Sequence, residues 1–257
     1  MSALLLETRK LTVQIGSRTL CRDLDLQLAA GDCLAILGRN GAGKSTLLQT
    51  LAGLRPAAAG DCLFAGQSLS TLPPRQLACF RGWLAQSHQD AFATTVLETA
   101  LTGRHPHLGR WAWESANDIA LVEDALATVG LAGMANRQVH TLSGGERQRL
   151  AIATLLVQAP RLCLLDEPLS HLDLNHQMAV LELFAARCRE AGIACIMVLH
   201  DPSLAARYCS HALLLDGTGH ARQGMAATLL EAETLSALYG HRLDAVSVAG
   251  RPWFIPA

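Results

Sequence analysis

The chain has 257 residues, of which half are apolar and 17% are charged, and its formal net charge is -1. This length suits one α/β domain with a subdomain better than two independent domains. The nearly balanced charge argues against a generally basic protein that binds nucleic acid, so no nucleic-acid partner is predicted.

The eight cysteines are scattered along the chain without any Cys-x-x-Cys pair. Such spacing suits a reducing compartment better than a disulfide framework. The start of the chain lacks the basic stretch and the long apolar run of a signal peptide. No uncharged apolar run approaches the ~18 residues that a membrane span needs. We therefore expect a cytosolic chain, or one attached to a membrane only through a partner.

The chain begins with a pattern typical of a β-hairpin. An apolar-rich run over 11–15 is followed by a turn at 16–17 and by alternating leucines over 24–28. Residues 33–37 have the pattern of a buried strand that leads into a glycine loop. Another pair of strands is predicted over 61–69.

Helical periodicity replaces the strand pattern from residue 89 to about 140, which indicates a helical subdomain inserted into a sheet domain. Beyond it, apolar strands alternate with helices, a pattern typical of a mostly parallel sheet covered on both faces. The predicted strands are 162–165, 194–199 and 212–215, and the predicted helices lie near 146–158, 175–191 and 202–207. The fold class is therefore α/β, with an antiparallel β region at the N-terminus.

The glycine loop reads Gly-Arg-Asn-Gly-Ala-Gly-Lys-Ser over 38–45, and a helix is predicted from Lys44 to about Gly53. This is a full P-loop match, in which backbone N–H groups and a helix N-terminus converge on a nucleotide phosphate. Lys44 is placed to reach the β- and γ-phosphates, and the Ser45 hydroxyl suits Mg²⁺, which prefers oxygen ligands. The predicted nucleotide-binding residues of this loop are Gly38, Arg39, Asn40, Gly41, Ala42, Gly43, Lys44, Ser45 and Thr46.

Asp166 and Glu167 directly follow the apolar run 162–165. They are therefore expected at the carboxyl edge of the sheet, where α/β sheets bind ligands. Asp166 is the predicted second contact to magnesium, through water, and Glu167 is the candidate that polarises an attacking water. The alternative is a plain strand cap, which a P-loop in the same chain makes less favourable.

The segment Leu142-Ser143-Gly144-Gly145-Glu146 precedes an amphipathic helix. A serine and two glycines at a helix start predict a second site for an anion. The same residues also fit an ordinary capping box, with Ser143 at the N-cap and Glu146 three residues later. The two interpretations do not conflict.

These elements, in this order, resemble the ATP-binding cassette family of ATPases over nearly the whole chain. The resemblance implies a homodimer in which Ser143, Gly144 and Gly145 contact the γ-phosphate held by the P-loop of the partner subunit. Glu146 is a mild departure, because many members carry Gln there. The resemblance also implies a P-loop NTPase core over 1–88 and 141–215, a helical subdomain over 89–140 and a C-terminal extension over 216–257.

Further positions match the family. Gln86 matches the Q-loop glutamine that senses Mg²⁺ and the γ-phosphate, and residues 170–173 match the D-loop of the dimer interface. His200 matches the switch histidine that contacts the γ-phosphate. The family often stacks an aromatic side chain on adenine where this chain has Ile15, which implies weaker nucleotide affinity or base selectivity.

Residues 103–110 and 234–240 are similar to segments of the importers of iron-siderophore, haem and cobalamin. The leading hypothesis is the ATP-hydrolysing subunit of a bacterial importer, peripheral on the cytoplasmic face of the inner membrane. Its expected partners are transmembrane permease subunits and, indirectly, an extracytoplasmic substrate-binding protein. Residues 88–110, with Arg104 on the exposed part, are the predicted docking surface for the permease.

Two alternatives remain. The ATPase subunit of an exporter would perform the same chemistry. A non-transport cassette ATPase is less favoured, because such proteins usually carry two cassettes or long coiled-coil insertions.

Overall fold

The computed structural model describes residues 3–86, 93–109 and 112–257. In these ranges the strands are β1 (Leu4–Ile15), β2 (Arg18–Leu24), β3 (Gln27–Ala29), β4 (Cys33–Gly38), β5 (Ala59–Phe64), β6 (Gln67–Ser68), β7 (Arg81–Leu84), β8 (Leu162–Leu165), β9 (Ala194–Val198), β10 (His211–Leu215), β11 (Ala221–Met225), β12 (Leu243–Val248) and β13 (Arg251–Pro256). The α-helices are α1 (Lys44–Leu51), α2 (Pro74–Phe80), α3 (Val96–Leu101), α4 (Ala116–Thr128), α5 (Gly144–Gln158), α6 (Leu174–Ala191), α7 (Pro202–Tyr208), α8 (Ala226–Leu229) and α9 (Ala232–Tyr239). None of these helices is both long and apolar enough to cross a membrane.

The centre of the described chain is a six-stranded sheet with the order β11-β10-β4-β9-β8-β7. Neighbours from β10 to β7 are parallel, and β11 joins the edge antiparallel to β10. The three late strands predicted from sequence are β8, β9 and β10, so the mostly parallel sheet is confirmed. Because parallel strands end at one edge, the residues that follow β4, β8 and β9 come together there.

The strand β4 illustrates why this sheet is buried on both faces. All of its residues are buried, and successive side chains point to opposite faces of the sheet. Leu34 and Ile36 enter the core shared with the N-terminal sheet and α1. Ala35 and Leu37 enter the core shared with α5 and α6. The apolar run of the sequence therefore supplies two cores at once.

The N-terminal strands form a separate antiparallel sheet with the order β2-β1-β5-β6, and β3 also pairs with β1. The predicted hairpin is confirmed, since Ile15 pairs with Arg18 across a turn at 16–17. The predicted strand pair over 61–69 is also confirmed by β5 and β6. This sheet packs over α1, which places the β1–β2 turn region near the glycine loop.

A helical layer lies between β7 and β8 in the chain. α3 and α4 both pack against α5, with Val122, Leu126 and Leu150 in the shared core. Helices were predicted over 89–140, and α3 and α4 lie there, although 87–92 and 110–111 fall outside the described residues. α5 also contacts β7 and so joins this layer to the central sheet. The subdomain boundaries themselves stay a prediction.

Several elements were not predicted. The edge strand β7 is only four residues long and begins with Arg-Gly, which masks its strand pattern. At the C-terminus, α9 and the antiparallel hairpin β12–β13 form a unit that packs on α7. The short strands and exposed apolar residues of that hairpin gave no clear periodic signal.

Candidate functional site

The glycine loop connects β4 to α1, and its glycines are required by close packing. A Cβ atom added at Gly38 would lie 2.4 Å from the carbonyl oxygen of Leu215. Gly43 has a φ of 100°, and a Cβ there would lie 2.7 Å from Cδ1 of Leu20. No residue with a side chain fits these positions without moving its neighbours. The loop is therefore pressed between the end of β10 and the N-terminal sheet.

Lys44 begins α1 and folds back over the loop. Its Nζ donates to the carbonyl oxygens of Gly38 at 2.9 Å and Arg39 at 3.2 Å. Burial lowers the pKa of the ammonium group, while the charges of Glu167 and Asp166 oppose that shift. The ammonium group is thus held at the loop by hydrogen bonds to two backbone carbonyl groups. A phosphate oxygen, which carries charge, is a stronger acceptor and can replace them.

Asp166 lies at the end of β8, directly beside the start of α1. The hydroxyl of Ser45 donates to Oδ1 of Asp166 at 2.9 Å. The carboxyl is only 3% exposed, and burial raises its pKa, partly offset by the hydrogen bond from Ser45. Two oxygen groups from distant parts of the chain are therefore adjacent in a site where a carboxylate gains from a nearby cation.

Glu167 and His200 form the second adjacent pair. Nε2 of His200 lies 2.9 Å from Oε1 of Glu167, and the Ser170 hydroxyl donates to the other carboxylate oxygen at 3.4 Å. Glu167 has a φ of 50°, a left-handed conformation that is costly for a residue with a side chain. The backbone therefore turns sharply after Asp166. As a result the carboxylate of Asp166 lies beside Ser45, and that of Glu167 lies beside His200.

These groups surround a cleft of about 550 Å³. Its walls combine an apolar side from the β1–β2 hairpin with a polar side from the glycine loop. The described residues that line it are Ile15, Arg18, Leu20, Asn40, Gly41, Gly43, Lys44, Ser45, Thr46, Gln86, Glu167 and His200. Seven of the sequence-predicted residues do not line it: Gly38, Arg39, Ala42, Asp166, Ser143, Gly144 and Gly145. Of these, Gly38 and Arg39 hold Lys44 in place and Asp166 holds Ser45.

Arg18 and Leu20 were missed by the sequence analysis. The position of Arg18 could have been predicted from the hairpin, because a two-residue turn at 16–17 pairs Arg18 directly with Ile15. Arg18 is fixed from the other side, where its Nη2 donates to the carbonyl oxygen of Gly217 at 2.9 Å. The cleft wall thus carries a guanidinium group next to the exposed Ile15.

The segment 142–146 does not line the cleft of its own chain. The amide of Glu146 donates to Oγ of Ser143 at 3.2 Å, and the amide of Ser143 donates to Oε2 of Glu146 at 2.7 Å. The capping box is therefore present, as predicted. Gly145 packs against the predicted D-loop, since a Cβ there would lie 2.9 Å from the carbonyl oxygen of His171.

The predicted docking segment is only partly described, because 88–92 and 110 lie outside the described residues. The expectation that Arg104 is exposed was wrong. Its side chain is 18% exposed, and its Nε lies 2.7 Å from Oδ1 of Asp118. The guanidinium thus pairs with a residue in the first turn of α4, and it also donates to the carbonyl oxygen of Val157 at 3.2 Å. Arg104 therefore stabilises the helical layer.

Two histidines, His105 and His107, lie beside Arg104 in the same segment. Nε2 of His107 lies 2.8 Å from the carbonyl oxygen of Gln158, so this loop is attached to the end of α5. In the described ranges, no cluster of three or more His, Cys, Asp or Glu side chains is arranged to hold a metal ion.

Comparison with known proteins agrees with this geometry. The family model described as ABC transporter matches residues 21–170. The chain is 43% identical over 225 residues to the hemin import ATP-binding protein HmuV of Gloeobacter violaceus, covering 83% of this chain and 79% of that protein. It is 37% identical over 256 residues to the ferric enterobactin transport ATP-binding protein FepC of Escherichia coli, covering 98% and 93%.

Among solved structures, the chain resembles the corresponding chain of an ABC transporter assigned to the metal-chelate type, in an inward-facing conformation. The TM-score is 0.85 at 28% identity, with 99% of this chain and 98% of that chain covered. The chain therefore belongs to the ABC transporter family and has the P-loop ATPase fold of its nucleotide-binding subunits.

Proposed function

We propose that this chain hydrolyses ATP to drive a bacterial importer of a metal chelate, of the iron-siderophore or haem class. The observation that carries the proposal is the joining of two pairs, Ser45 with Asp166 and Glu167 with His200, at the mouth of a P-loop. The substrate class is supported by relatives whose names describe hemin import and ferric enterobactin transport. Cobalamin stays a prediction from the resemblance alone.

In this proposal the residues Gly38 to Thr46 hold the phosphates of ATP. Backbone N–H groups and the N-terminus of α1 neutralise part of the charge, and Lys44 exchanges its carbonyl partners for the β- and γ-phosphates. Ile15, opposite Arg18, supplies the apolar surface beside the base. The placement of Ile15 and Lys44 on one cleft supports this assignment.

The donor set also fits Mg²⁺, which favours oxygen ligands in octahedral geometry. Ser45 and Asp166 present two such oxygens 2.9 Å apart, and Gln86, whose side chain includes an amide oxygen, lines the same cleft. A bound magnesium ion would neutralise charge that develops on the transferred phosphoryl group. Burial raises the pKa of Asp166, which means that it destabilises the ionised carboxylate. A cation bound beside Asp166 would offset this effect.

Glu167 is the proposed residue that polarises the attacking water, and His200 contacts the γ-phosphate. The 2.9 Å contact between the two side chains keeps the carboxylate oriented toward the cleft and gives the imidazole a fixed direction. Gln86 is proposed to report the state of the phosphate to the helical layer. Proton transfer by a positioned carboxylate contributes ~100- to 10,000-fold to a rate.

Ser143, Gly144 and Gly145 are proposed to complete the site of a second subunit in a homodimer. Their absence from the cleft of their own chain supports this role, as does the helix start that remains available for an anion. The core, helical subdomain and C-terminal extension keep the boundaries given from sequence.

The further partners in this proposal are transmembrane permease subunits, which dock on 88–110, and indirectly an extracytoplasmic substrate-binding protein. The chain would then act as a peripheral subunit on the cytoplasmic face of the inner membrane. Nucleic acid has no place in this mechanism.

The test is purification of the chain from membranes together with its permease, followed by reconstitution in proteoliposomes. We expect ATP-dependent accumulation of a ferric siderophore or haem, and no accumulation with the Lys44→Ala variant. Export of the same compounds, or ATPase activity without any copurifying membrane protein, would contradict an importer.

A further inference from the structure

The C-terminal hairpin β12–β13 presents an unpartnered apolar face. Opposite residues of an antiparallel pair share a face, and the register joins Val246 to Trp253, Val248 to Arg251 and Asp244 to Ile255. We call these six residues the hairpin outer face. Its four apolar side chains are each between 39% and 56% exposed.

The opposite side of the hairpin is anchored. Phe254 is buried against α7, and its amide donates to the hydroxyl of Ser203 at 3.0 Å. A two-stranded hairpin is marginal alone in water, so this anchor is what keeps the hairpin in place. The apolar outer face therefore belongs to a fixed structure and is available for docking.

The outer face carries opposite charges at its two diagonal corners. Asp244 lies near the start of β12 and Arg251 at the start of β13, and their rows are four register steps apart. Strand spacing and rise place these two residues ~14 Å apart, on either side of the apolar centre. Asp244 has an exposed contact to Arg242 at 3.4 Å, and Arg251 donates to the Arg207 carbonyl oxygen at 3.4 Å. Exposed contacts of this kind contribute little, so both charges remain available to a partner.

We infer that the hairpin outer face binds the same face of a second copy of this chain across a two-fold axis. A two-fold axis that lies in the plane of contact, passes through the apolar centre and runs perpendicular to the line from Asp244 to Arg251 exchanges these two corners. It brings Asp244 of each copy opposite Arg251 of the other and stacks Trp253 and Val246 between them. Self-complementary surfaces of this kind are what isologous interfaces require. The charge pattern therefore makes this face complementary to itself, which favours a second copy as the partner.

This contact goes beyond the proposed function, because it needs neither nucleotide nor the P-loop. Specific stable interfaces bury about 800 Å² per partner, which exceeds what a six-residue face can cover. The contact is accordingly weak by itself and keeps two subunits near each other when the cleft is open. α7, which holds the hairpin, begins directly after His200 and Asp201.

The test is self-association of nucleotide-free full-length chain in EDTA, measured by sedimentation velocity over a range of concentrations. We expect reversible dimers, and dissociation about tenfold easier for Asp244→Arg or for Arg251→Asp, since each change opposes like charges across the axis. An equimolar mixture of the two variants restores both ion pairs in a heterodimer. Its affinity is expected to return to within about twofold of wild type.

A second pair of variants tests the apolar centre. Trp253→Ser should weaken the nucleotide-free dimer about tenfold or more, and Trp113→Ser, which changes another exposed tryptophan, should leave it unchanged. Circular dichroism and ATP binding of each variant verify that it is folded.

Monomers at all concentrations, equal effects of both tryptophan changes, or no rescue in the mixture would overturn the inference. The outcome is independent of the proposed function. An ATP-induced dimer of the Glu167→Gln variant tests that function, and it forms through the cleft whether or not the hairpins meet.

Discussion

The cleft and the segment 142–146 both have the features of an anion-binding site. They differ in how many of the groups around that site come from the same chain. Both combine glycines with the N-terminus of a helix, α1 in one case and α5 in the other. The cleft gathers Lys44 and Ser45, at the start of α1, and Glu167, which follows β8 in the same chain. The segment 142–146 gathers only its own capping groups and the neighbouring D-loop.

This difference leads to a prediction about where a second subunit is needed. The cleft, whose binding groups all come from one chain, is expected to bind nucleotide in an isolated subunit. The segment 142–146, which has few such groups around it, is expected to act only when a second subunit is present. Substitutions in the two regions should therefore separate binding from hydrolysis.

The largest effect is expected inside the cleft. Glu167→Gln should lower ATP hydrolysis ~100- to 10,000-fold, because an amide cannot take part in proton transfer while the phosphate loop survives. ATP affinity, measured by titration calorimetry, should stay within about threefold. ATP should also accumulate a dimer in size-exclusion chromatography, and near-wild-type turnover would exclude Glu167 from the catalytic role.

The next effect probes the open region. Ser143→Arg should reduce hydrolysis ~100- to 1,000-fold without loss of ATP binding, because a charged side chain blocks contact with the phosphate of the partner site. Ser115→Arg is the matched control, since Ser115 caps α4 with the same pair of hydrogen bonds. The control should retain hydrolysis.

Mixing the variants sharpens this comparison. Lys44→Ala and Ser143→Arg are each expected to be inactive, and their heterodimer should regain at most one working site. If Ser143→Arg instead loses ATP binding and hydrolysis together, the segment belongs to the cleft of its own chain.

A smaller effect is expected on the apolar wall of the cleft. Ile15 is 46% exposed there, and Ile15→Tyr should tighten ATP binding about tenfold, which corresponds to ~1.4 kcal/mol. Titrations with ATP, GTP and tripolyphosphate distinguish the cause. Tripolyphosphate affinity should not change, and unchanged ATP affinity would mean that the base lies elsewhere.

The smallest effect compares the two capping boxes as plain helix caps. Ser115→Ala and Ser143→Ala should each destabilise the fold by ~1 kcal/mol, because each removes one side-chain acceptor at a helix start. A fall in Tm of ~3 °C is expected for both in thermal unfolding. Only Ser143→Ala should also reduce ATP hydrolysis, and an equal reduction in both variants would indicate a purely structural role.

Motifs that are contiguous in sequence were predictable, because their geometry is local. The loop 38–46 must bend sharply between a strand and a helix, and the capping box of Ser143 and Glu146 is complete within four residues. The mostly parallel sheet was also predictable, since buried strands alternate with helices. In these cases hydrophobic pattern and turn residues already specify the local structure.

Three features depended on side-chain directions that periodicity does not give. Arg104 was expected on the surface but pairs with Asp118, since α4 begins directly beside it. Arg18 lines the cleft through the register of a hairpin. The hairpin β12–β13 acquires an exposed apolar face only because Phe254 is fixed on α7.

The sequence by itself determined the phosphate loop, the order of the strands along the chain and the presence of two acidic residues after β8. The tertiary structure alone decided which of these groups meet. Ser45 and Asp166 are 121 positions apart, yet their oxygens lie 2.9 Å from each other. The parallel order of β4, β9 and β8 brings the ends of those strands to one edge, and no local pattern encodes such a distance.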